Sequence, residues 1–141
     1  MSDTILASRD IPRGATAAQC ERVRNIALAL PGAEEALDRF AFHVMVKDKP
    51  KGFAWSWLER LHPKQGRVEN TAVLAIRTSS VAERDLLIAH DPTVYFTEPH
   101  YNGYPAVLVR LDRVTTTTLE TLLLEAWRIM APRELRDLVL D

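Results

Sequence analysis

Six basic residues lie close together in one stretch of the chain, and phosphate binding is the chemistry that their types and spacing suggest. Residues 47–67 hold six positive side chains against two negative ones, a net charge of +4 in a chain whose formal net charge is −1. Ammonium and guanidinium groups form charge-assisted hydrogen bonds with phosphate oxygens. The six residues, hereafter the basic cluster, are Lys47, Lys49, Lys51, Arg60, Lys64 and Arg67.

The phosphate backbone of a nucleic acid is a partner that the basic cluster could contact. Contacts to its phosphates would make binding sensitive to salt and only weakly selective for base sequence. The near-neutral total charge excludes binding driven by bulk positive charge, so that any such contact has to come from a local patch. The structural alternative is a lysine-decorated β-hairpin, in which the charges maintain solubility and prevent pairing with other strands.

A second dense group of polar and aromatic residues lies between Pro99 and Pro105. Aromatic rings and amide groups at the end of a hairpin can stack on a base or bind a small ligand. The members of this alternative ligand site are His100, Tyr101, Asn102 and Tyr104. The competing structural interpretation is that the tyrosines clamp a tight turn, since Asn-Gly between β-forming residues predicts a two-residue hairpin with positive φ at both positions.

Catalytic and metal-binding patterns are missing from the sequence. It has no Gly-x-Ser-x-Gly motif and no glycine-rich phosphate loop, and its single cysteine, Cys20, excludes an internal disulfide. Glu34 and Glu35 are adjacent, so in an extended chain they point to opposite sides, and we expect a solvated turn there. The histidines lack paired ligand spacing: they are His43, His62, His90 and His100. We therefore expect no enzymatic activity, no metal and no cofactor.

Length and composition favour one globular domain. The chain has 141 residues, of which 47% are hydrophobic and 26% are charged. We expect a single domain over residues 1–141, in which residues 1–15 form a loose leader. No apolar run is long enough for a signal peptide or a membrane span, so we expect a cytoplasmic protein that makes no membrane contact. The sequence does not indicate an oligomeric state.

The periodicity of apolar residues predicts helices at both ends of the chain and strands between them. Strands that cluster in this way favour the α+β class with a largely antiparallel sheet over a doubly wound fold. In chain order we first predict a helix over 17–30, a hairpin of strands 40–46 and 53–57 around a turn at 47–52, and an exposed loop over 59–70. A strand over 72–77 and a helix over 81–89 follow. The remaining elements are a hairpin of strands 94–97 and 106–111 with Asn102-Gly103 at its tip, a helix over 117–130 and a short helix after Pro132.

Several segments of the chain resemble the MmcQ/YjbR family. The helix end Leu28–Glu35 (LALPGAEE) and the strand Phe53–Trp55 (FAW) are similar to family motifs. The segment Thr97–Leu111 is similar to its signature hairpin, and Ala126–Arg128 with Ala131–Pro132 to its closing helix. These pieces occur in the family's order between Ala17 and Leu135.

The resemblance implies an α+β fold likened to a double-wing DNA-binding domain, in which β-hairpins act as wings. It thereby implies a DNA-binding protein without enzymatic activity, and it carries no catalytic residues to this chain. The turn at 47–52 and the loop at 58–70 are longer than the family pattern, and both add positive charge where a wing would lie. Two alternatives stay open: a small-molecule-binding or resistance-associated module around His100, Tyr101 and Tyr104, and a protein–protein adaptor with an exposed aromatic hairpin.

Overall fold

The structure is a computed structural model that describes residues 11–139. Most of the predicted leader, residues 1–10, lies outside the described residues. Residues 11–15 are not loose. Ile11 is buried in a hydrophobic cluster, the amide of Asn70 donates to the carbonyl of Pro12 at 3.0 Å, and Ala15 N donates to Thr71 Oγ1 at 2.9 Å. Ile11 packs in this cluster because its side chain is apolar, and the sequence pattern did not predict that contact.

The fold is α+β, as predicted, with a six-stranded sheet in which every strand pair is antiparallel and the strand order is β1-β2-β3-β4-β6-β5. The strands are β1 (Ala33–Glu35), β2 (Ala41–Val46), β3 (Lys49–Glu59), β4 (Val68–Arg77), β5 (Tyr95–Phe96) and β6 (Ala106–Arg110). The helices are α1 (Ala17–Ala27), α2 (Val81–His90), α3 (Thr116–Met130) and α4 (Arg133–Arg136), and a 3₁₀ turn covers Pro99–Tyr101.

One face of the sheet carries the main core. Alternate residues of β2, β4 and β6 meet α1 and α3 there, around the fully buried side chains of Leu74, Leu123 and Trp127. A register shift at Phe53 makes it an extra residue of β3, so that both Phe53 and Ala54 enter this core. Burial of these large apolar side chains supplies most of the favourable free energy of folding.

Long-range hydrogen bonds tie the two ends of the chain together on this helical layer. Arg22 of α1 donates to the carbonyls of Leu111 at 2.6 Å and Val114 at 3.0 Å. The indole of Trp127 in α3 donates to the carbonyl of Pro31 at 2.8 Å. Helix α1 therefore has its polar as well as its apolar partners near the C-terminus.

The opposite face of the sheet is only partly covered. A smaller cluster around Trp57, Phe96, Tyr101 and Leu108 is buried under residues 11–15 and the connection between β5 and β6. Toward β2 the face is open, and the side chain of Met45 is 41% exposed. We call the uncovered area over β2 and the first half of β3 the open face.

The predicted turn at 47–52 is shorter in the structure. Only Lys47 and Asp48 form it, with φ of 51° and 65°, and β3 begins at Lys49. Two successive residues with positive φ match the right-handed twist of a hairpin, so no longer turn is needed. Pro50 is tolerated inside the strand because β4 pairs with β3 only from Ala54 onward, which leaves this part of β3 at an edge.

Two segments expected to be loops are partly strands. Glu34 and Glu35 form an edge strand with β2 rather than a solvated turn, and their carboxylates do point to opposite sides, toward His43 and Arg24. The predicted loop at 59–70 is reduced at both ends, because Glu59 of β3 pairs with Val68 of β4. Backbone pairing with a neighbouring strand overrides the polar composition of both segments.

Gly32 allows a test of this packing. It has a φ of +72°, and a Cβ atom there would lie 2.6 Å from Leu135 Cδ1. We expect Gly32→Ala to lower the free energy of unfolding by about 1–3 kcal/mol, because the strained backbone and the clash act together. Urea denaturation measures the loss. Gly66→Ala is the control, since a Cβ at Gly66 meets nothing within 4 Å; equal stability of the two variants would contradict the prediction.

Candidate functional site

The structure separates the basic cluster into two groups. Lys47, Lys49 and Lys51 lie at the tip of the β2–β3 hairpin, whereas Arg60, Lys64 and Arg67 lie in the loop beyond the other end of β3. A strand advances about 3.3 Å per residue, so the length of β3 places the two groups on the order of 30 Å apart. The basic residues do not form one surface, because the strand that connects them is extended.

Two of the three loop residues are engaged within the protein. Arg60 Nη1 donates to the carbonyls of Pro63 at 3.3 Å and Gln65 at 2.9 Å. Arg67 Nη1 donates to the carbonyl of Leu58 at 2.7 Å and to Glu98 Oε2 at 3.2 Å. These guanidinium groups hold the loop and its neighbour in place. Their role as phosphate contacts stays a prediction, since these bonds occupy only part of each guanidinium; Arg60 and Lys64 are exposed, and Arg67 is half-buried.

The tip lysines form the second group and remain exposed. β1 pairs with β2 only as far as Val44, and β4 pairs with β3 only from Ala54, so the tip projects past both neighbouring strands. Lys49 and Lys51 stand opposite Val46 and Val44, which places them on the helical side of the hairpin. The tip is therefore a small cationic projection whose other side is apolar.

The connection between β5 and β6 is not the tight hairpin that Asn102-Gly103 predicted. Phe96 pairs with Leu108, so residues 97–105 connect the strands and include the 3₁₀ turn. Asn102 has φ −58° and ψ 127°, only Gly103 has positive φ at 75°, and Tyr104 N donates to the carbonyl of Tyr101 at 2.9 Å. This is a type II turn, which requires positive φ at one residue only.

A buried carboxylate, Glu98, anchors this connection. Its Oε2 accepts from Trp57 Nε1 at 2.9 Å and from Arg67, and its Oε1 accepts from the backbone N–H of His100 at 2.9 Å. Burial alone would raise the pKa of Glu98. The hydrogen bonds from Trp57, His100 and Arg67 together outweigh it, so the pKa lies below its ordinary value and the group is ionised at neutral pH.

A buried arginine supports the same connection from beneath. Arg84 of α2 donates through Nη1 to the carbonyls of Tyr101 at 2.8 Å and Tyr104 at 3.2 Å, and through Nε to Asp85 at 3.0 Å. Backbone carbonyls of an irregular segment need such donors when they are buried. Glu98 and Arg84 therefore fix the backbone that presents the alternative ligand site.

The structure brings the members of that site together with Trp55 of β3. The indole Nε1 of Trp55 donates to the hydroxyl of Tyr101 at 3.1 Å, and the rings of Trp55 and Tyr104 meet edge to face at 6.2 Å. They line a cavity of about 420 Å³, hereafter the aromatic pocket, whose lining residues are Trp55, His100, Tyr101, Asn102, Gly103 and Tyr104. The volume falls in the range of small-molecule sites.

The polar groups of the aromatic pocket differ in exposure. Tyr101 is 6% exposed, and burial raises the pKa of its phenol, so its hydroxyl is neutral at physiological pH. Tyr104 is 39% exposed, and the guanidinium of Arg77 lies over its ring at 5.3 Å. His100 and Asn102 are exposed at the rim. The pocket thus combines a fixed interior with rim groups that can orient a ligand.

Other basic residues do not extend the cationic surface. The guanidinium of Arg77 lies over the ring of Tyr104 at 5.3 Å. Arg110 is buried, and its guanidinium lies over the ring of Phe96 at 5.3 Å. Within residues 11–139, no three His, Cys, Asp or Glu side chains converge as a metal site would require. The helices of the same range are all too short or too polar to cross a membrane.

Comparison with known proteins identifies the family. A family model described as YjbR matches residues 28–129. The chain belongs to the YjbR family. The resemblance found in the sequence is thereby confirmed, and the match includes β1 to β6 and most of α3.

Relatives of this YjbR protein occur among the mycobacteria. It is 48% identical over 63 residues to proteins named uncharacterized protein Rv2570 and MT2646, from two strains of Mycobacterium tuberculosis, and to Mb2600 of Mycobacterium bovis. The alignment includes 45% of this chain and 49% of each relative, so the chain spans about half the length of the curated relatives it matches.

A solved structure shows the same fold. The crystal structure of Deinococcus radiodurans protein DR2400, which carries a DUF419 domain, superposes with a TM-score of 0.58 at 19% sequence identity. The superposition includes 82% of this chain and 83% of that one.

Sequence reasoning missed three residues that build the site. Trp55 appeared only as a strand residue, although its two-residue alternation with Trp57 placed both on one face. Glu98 carried a local signal, since it precedes a proline and caps the 3₁₀ turn. Arg84 carried no signal, because its partners lie in another element of the fold.

The ionised state of Glu98 makes stability depend on pH. Its lowered pKa means that it stabilises the fold fully above its unfolded value, and that this stabilisation is lost as pH falls through the folded value. At pH 7 we expect Glu98→Gln to lower the free energy of unfolding by about 1–3 kcal/mol. The gap from wild type should shrink below about pH 4.5, where the unfolded carboxyl becomes protonated.

Thermal and urea denaturation at pH 7 and pH 3.5 check this dependence. Glu120→Gln on the exposed side of α3 is the matched control and should leave stability unchanged at both pH values. A gap that is the same at both pH values would show that the charge of Glu98 does not stabilise the fold.

Proposed function

We propose that this YjbR protein is a non-enzymatic, cytoplasmic binding protein whose aromatic pocket takes a planar aromatic small molecule. The observation that carries the proposal is the position of Trp55. Its N–H is already bound to Tyr101, so the indole is held in one orientation beside a cavity that is also bordered by the exposed ring of Tyr104, which contacts the indole edge to face. A preorganised ring loses little conformational entropy when a ligand stacks on it.

The pocket has the polar groups that a specific site needs. Asn102 and His100 at the rim can donate or accept hydrogen bonds, and the neutral phenol of Tyr101 lies at the base. An aromatic pair contributes about 0.5–1.5 kcal/mol beyond area burial. Two such contacts and one hydrogen bond together contribute about 1.5–4.5 kcal/mol, to which burial of the ligand's apolar surface adds.

The absence of an enzymatic role in this proposal follows from the chemistry of the pocket. His100, the one imidazole in it, meets Tyr101 edge to face at 5.5 Å, and no serine or cysteine lines the cavity with it. Nucleophilic catalysis by a protein side chain needs a nucleophile such as serine or cysteine within hydrogen-bonding reach of a base. The residues that line the pocket do not supply such a pair.

The exposed ring of Tyr104 tests the proposal. We expect Tyr104→Ala to weaken binding of 2-naphthol, a neutral planar probe, by about tenfold, because one stacking surface is lost. Tyr104→Phe keeps the ring and should bind within about twofold of wild type. Isothermal titration calorimetry measures the affinities, and thermal denaturation confirms that both variants fold. Unchanged affinity in Tyr104→Ala, or no binding to wild type, would contradict the proposal.

Duplex DNA is a second candidate partner, because of the projecting hairpin tip. None of the lysines Lys47, Lys49 and Lys51 forms an ion pair with a carboxylate among residues 11–139, so their ammonium groups are available to phosphates. The tip offers three such contacts instead of the six expected from the sequence. Because Lys49 and Lys51 stand on the side away from the open face, this candidate function is independent of the aromatic pocket.

The salt dependence of DNA binding tests the second candidate. Each lost phosphate contact lowers the log–log salt slope by about 0.9, so replacing all three tip lysines with alanine should flatten it by roughly 2–3 units. Fluorescence anisotropy on a short duplex at several salt concentrations measures the slope. Lys64→Ala, at the far end of β3, is the control and should leave it unchanged. If wild type does not bind at low salt, the candidate fails.

A further inference from the structure

A second concavity lies on the open face, directly beside the aromatic pocket. It has a volume of about 550 Å³ and runs along β2 and the first half of β3. Most of its lining is apolar, and Leu37 and Met45 are both exposed at its walls. We call it the hairpin groove; the residues used below are Leu37, Arg39, His43, Met45, Gly52 and Trp55.

Trp55 joins the hairpin groove to the aromatic pocket. Its indole lines both concavities, and its six-membered ring lies over Gly52, with Cε3 3.8 Å from the position of a Cβ there. The missing side chain of Gly52 keeps the floor of the groove low next to this ring. The two concavities therefore adjoin each other, and the indole of Trp55 is the wall that they share.

A single cation stands at the junction. Arg39 lines the hairpin groove, its Nη2 donates to the carbonyl of Ser56 at 2.6 Å, and its charge acts on the phenol of Tyr101 across the junction. No carboxylate among residues 11–139 forms an ion pair with Arg39, whereas His43 on the wall of the groove meets Glu34 at 3.2 Å. Within the described residues, the guanidinium at the junction is therefore not ion-paired.

We propose that the aromatic pocket and the hairpin groove together bind one amphipathic ligand: an aromatic carboxylate with an unbranched apolar chain on the ring carbon next to the carboxylate. The ring stacks beside Trp55 and Tyr104, the carboxylate meets Arg39, and the chain lies in the groove between Leu37 and Met45. This assignment of a ligand class rests on the proposed function of the aromatic pocket.

The charge and the shape of the site favour this ligand over others. An anion at the junction would form a charge-assisted hydrogen bond with a guanidinium that is already held by Ser56. The groove follows β3 from Trp55 to Pro50, about 16 Å at strand spacing, which is longer than an octyl chain. Each methylene group that the apolar walls remove from water makes the free energy of binding more favourable.

A chain-length series tests the groove. Four additional methylene groups, each about half buried, should make 2-octylbenzoate bind wild type about 15-fold more tightly than 2-butylbenzoate. Gly52→Val should reduce that gain to twofold or less, because a branched side chain fills the floor while its Cβ makes only ordinary contacts. Leu37→Ser, which removes one wall, should reduce it as well. Leu86→Ser is the control, since Leu86 is exposed on α2 and does not line the groove.

A neutral counterpart tests the charge. Arg39→Gln should weaken binding of 2-octylbenzoate by about tenfold and leave binding of 2-octylbenzyl alcohol within about twofold. Arg39→Lys should retain part of the preference for the carboxylate, because it keeps the charge without the planar guanidinium.

The outcomes separate this inference from the proposed function. If 2-naphthol binds but chain length has no effect, the groove assignment is overturned and the aromatic pocket stands. If the chain-length gain persists in both Gly52→Val and Leu37→Ser, the chain binds elsewhere and the inference is also overturned. If 2-naphthol fails to bind, the proposed function itself fails. Calorimetry below the micelle concentration of each probe gives all of the affinities.

Discussion

The ion pair and hydrogen bonds of one buried carboxylate, Glu98, hold together the parts of the molecule that carry its binding surfaces. Glu98 joins the indole of Trp57 in β3, the guanidinium of Arg67 in the β3–β4 loop and the first turn of the β5–β6 connection. A buried charge is tolerable only when its hydrogen-bonding capacity is filled, so these three partners have to be in place at once. The orientation of Tyr101, and through it of Trp55, depends on that arrangement.

The elements governed by local periodicity were predictable from the sequence. The capping box at Thr16 and Gln19 fixed the start of α1, and the apolar stripe of α3 predicted its span to within a residue. What failed depends on partners distant in sequence. β1 forms because the backbone of Glu34 and Glu35 pairs with β2. Ile11 is buried because it packs in the apolar cluster around Trp57 on the far side of the sheet. Composition alone classed both segments as loops.

The candidate sites show the same limit. Closeness in sequence suggested one basic surface, but an extended strand of the length of β3 converts neighbours in sequence into residues at opposite ends of the sheet. Conversely, Trp55 and Tyr104 are far apart in sequence, and their rings meet edge to face in the fold. The tyrosine-rich connection was recognisable from its residue types. Its aromatic wall from β3 and its support by Arg84 arise only from the tertiary fold.

The bonds from Arg22 to Leu111 and Val114, and from Trp127 to Pro31, have a consequence for biosynthesis. A ribosome releases α1 long before α3, yet Arg22 of α1 finds its partners only after Leu111 and Val114 are made, and α1 finds its packing surface on α3 later still. The apolar stripe of α1 and the inner face of the β2–β3–β4 meander therefore remain exposed to water until α3 packs on them. The helical layer completes its folding only after α3 has been synthesised, and until then the nascent chain exposes a surface of the kind that chaperones bind.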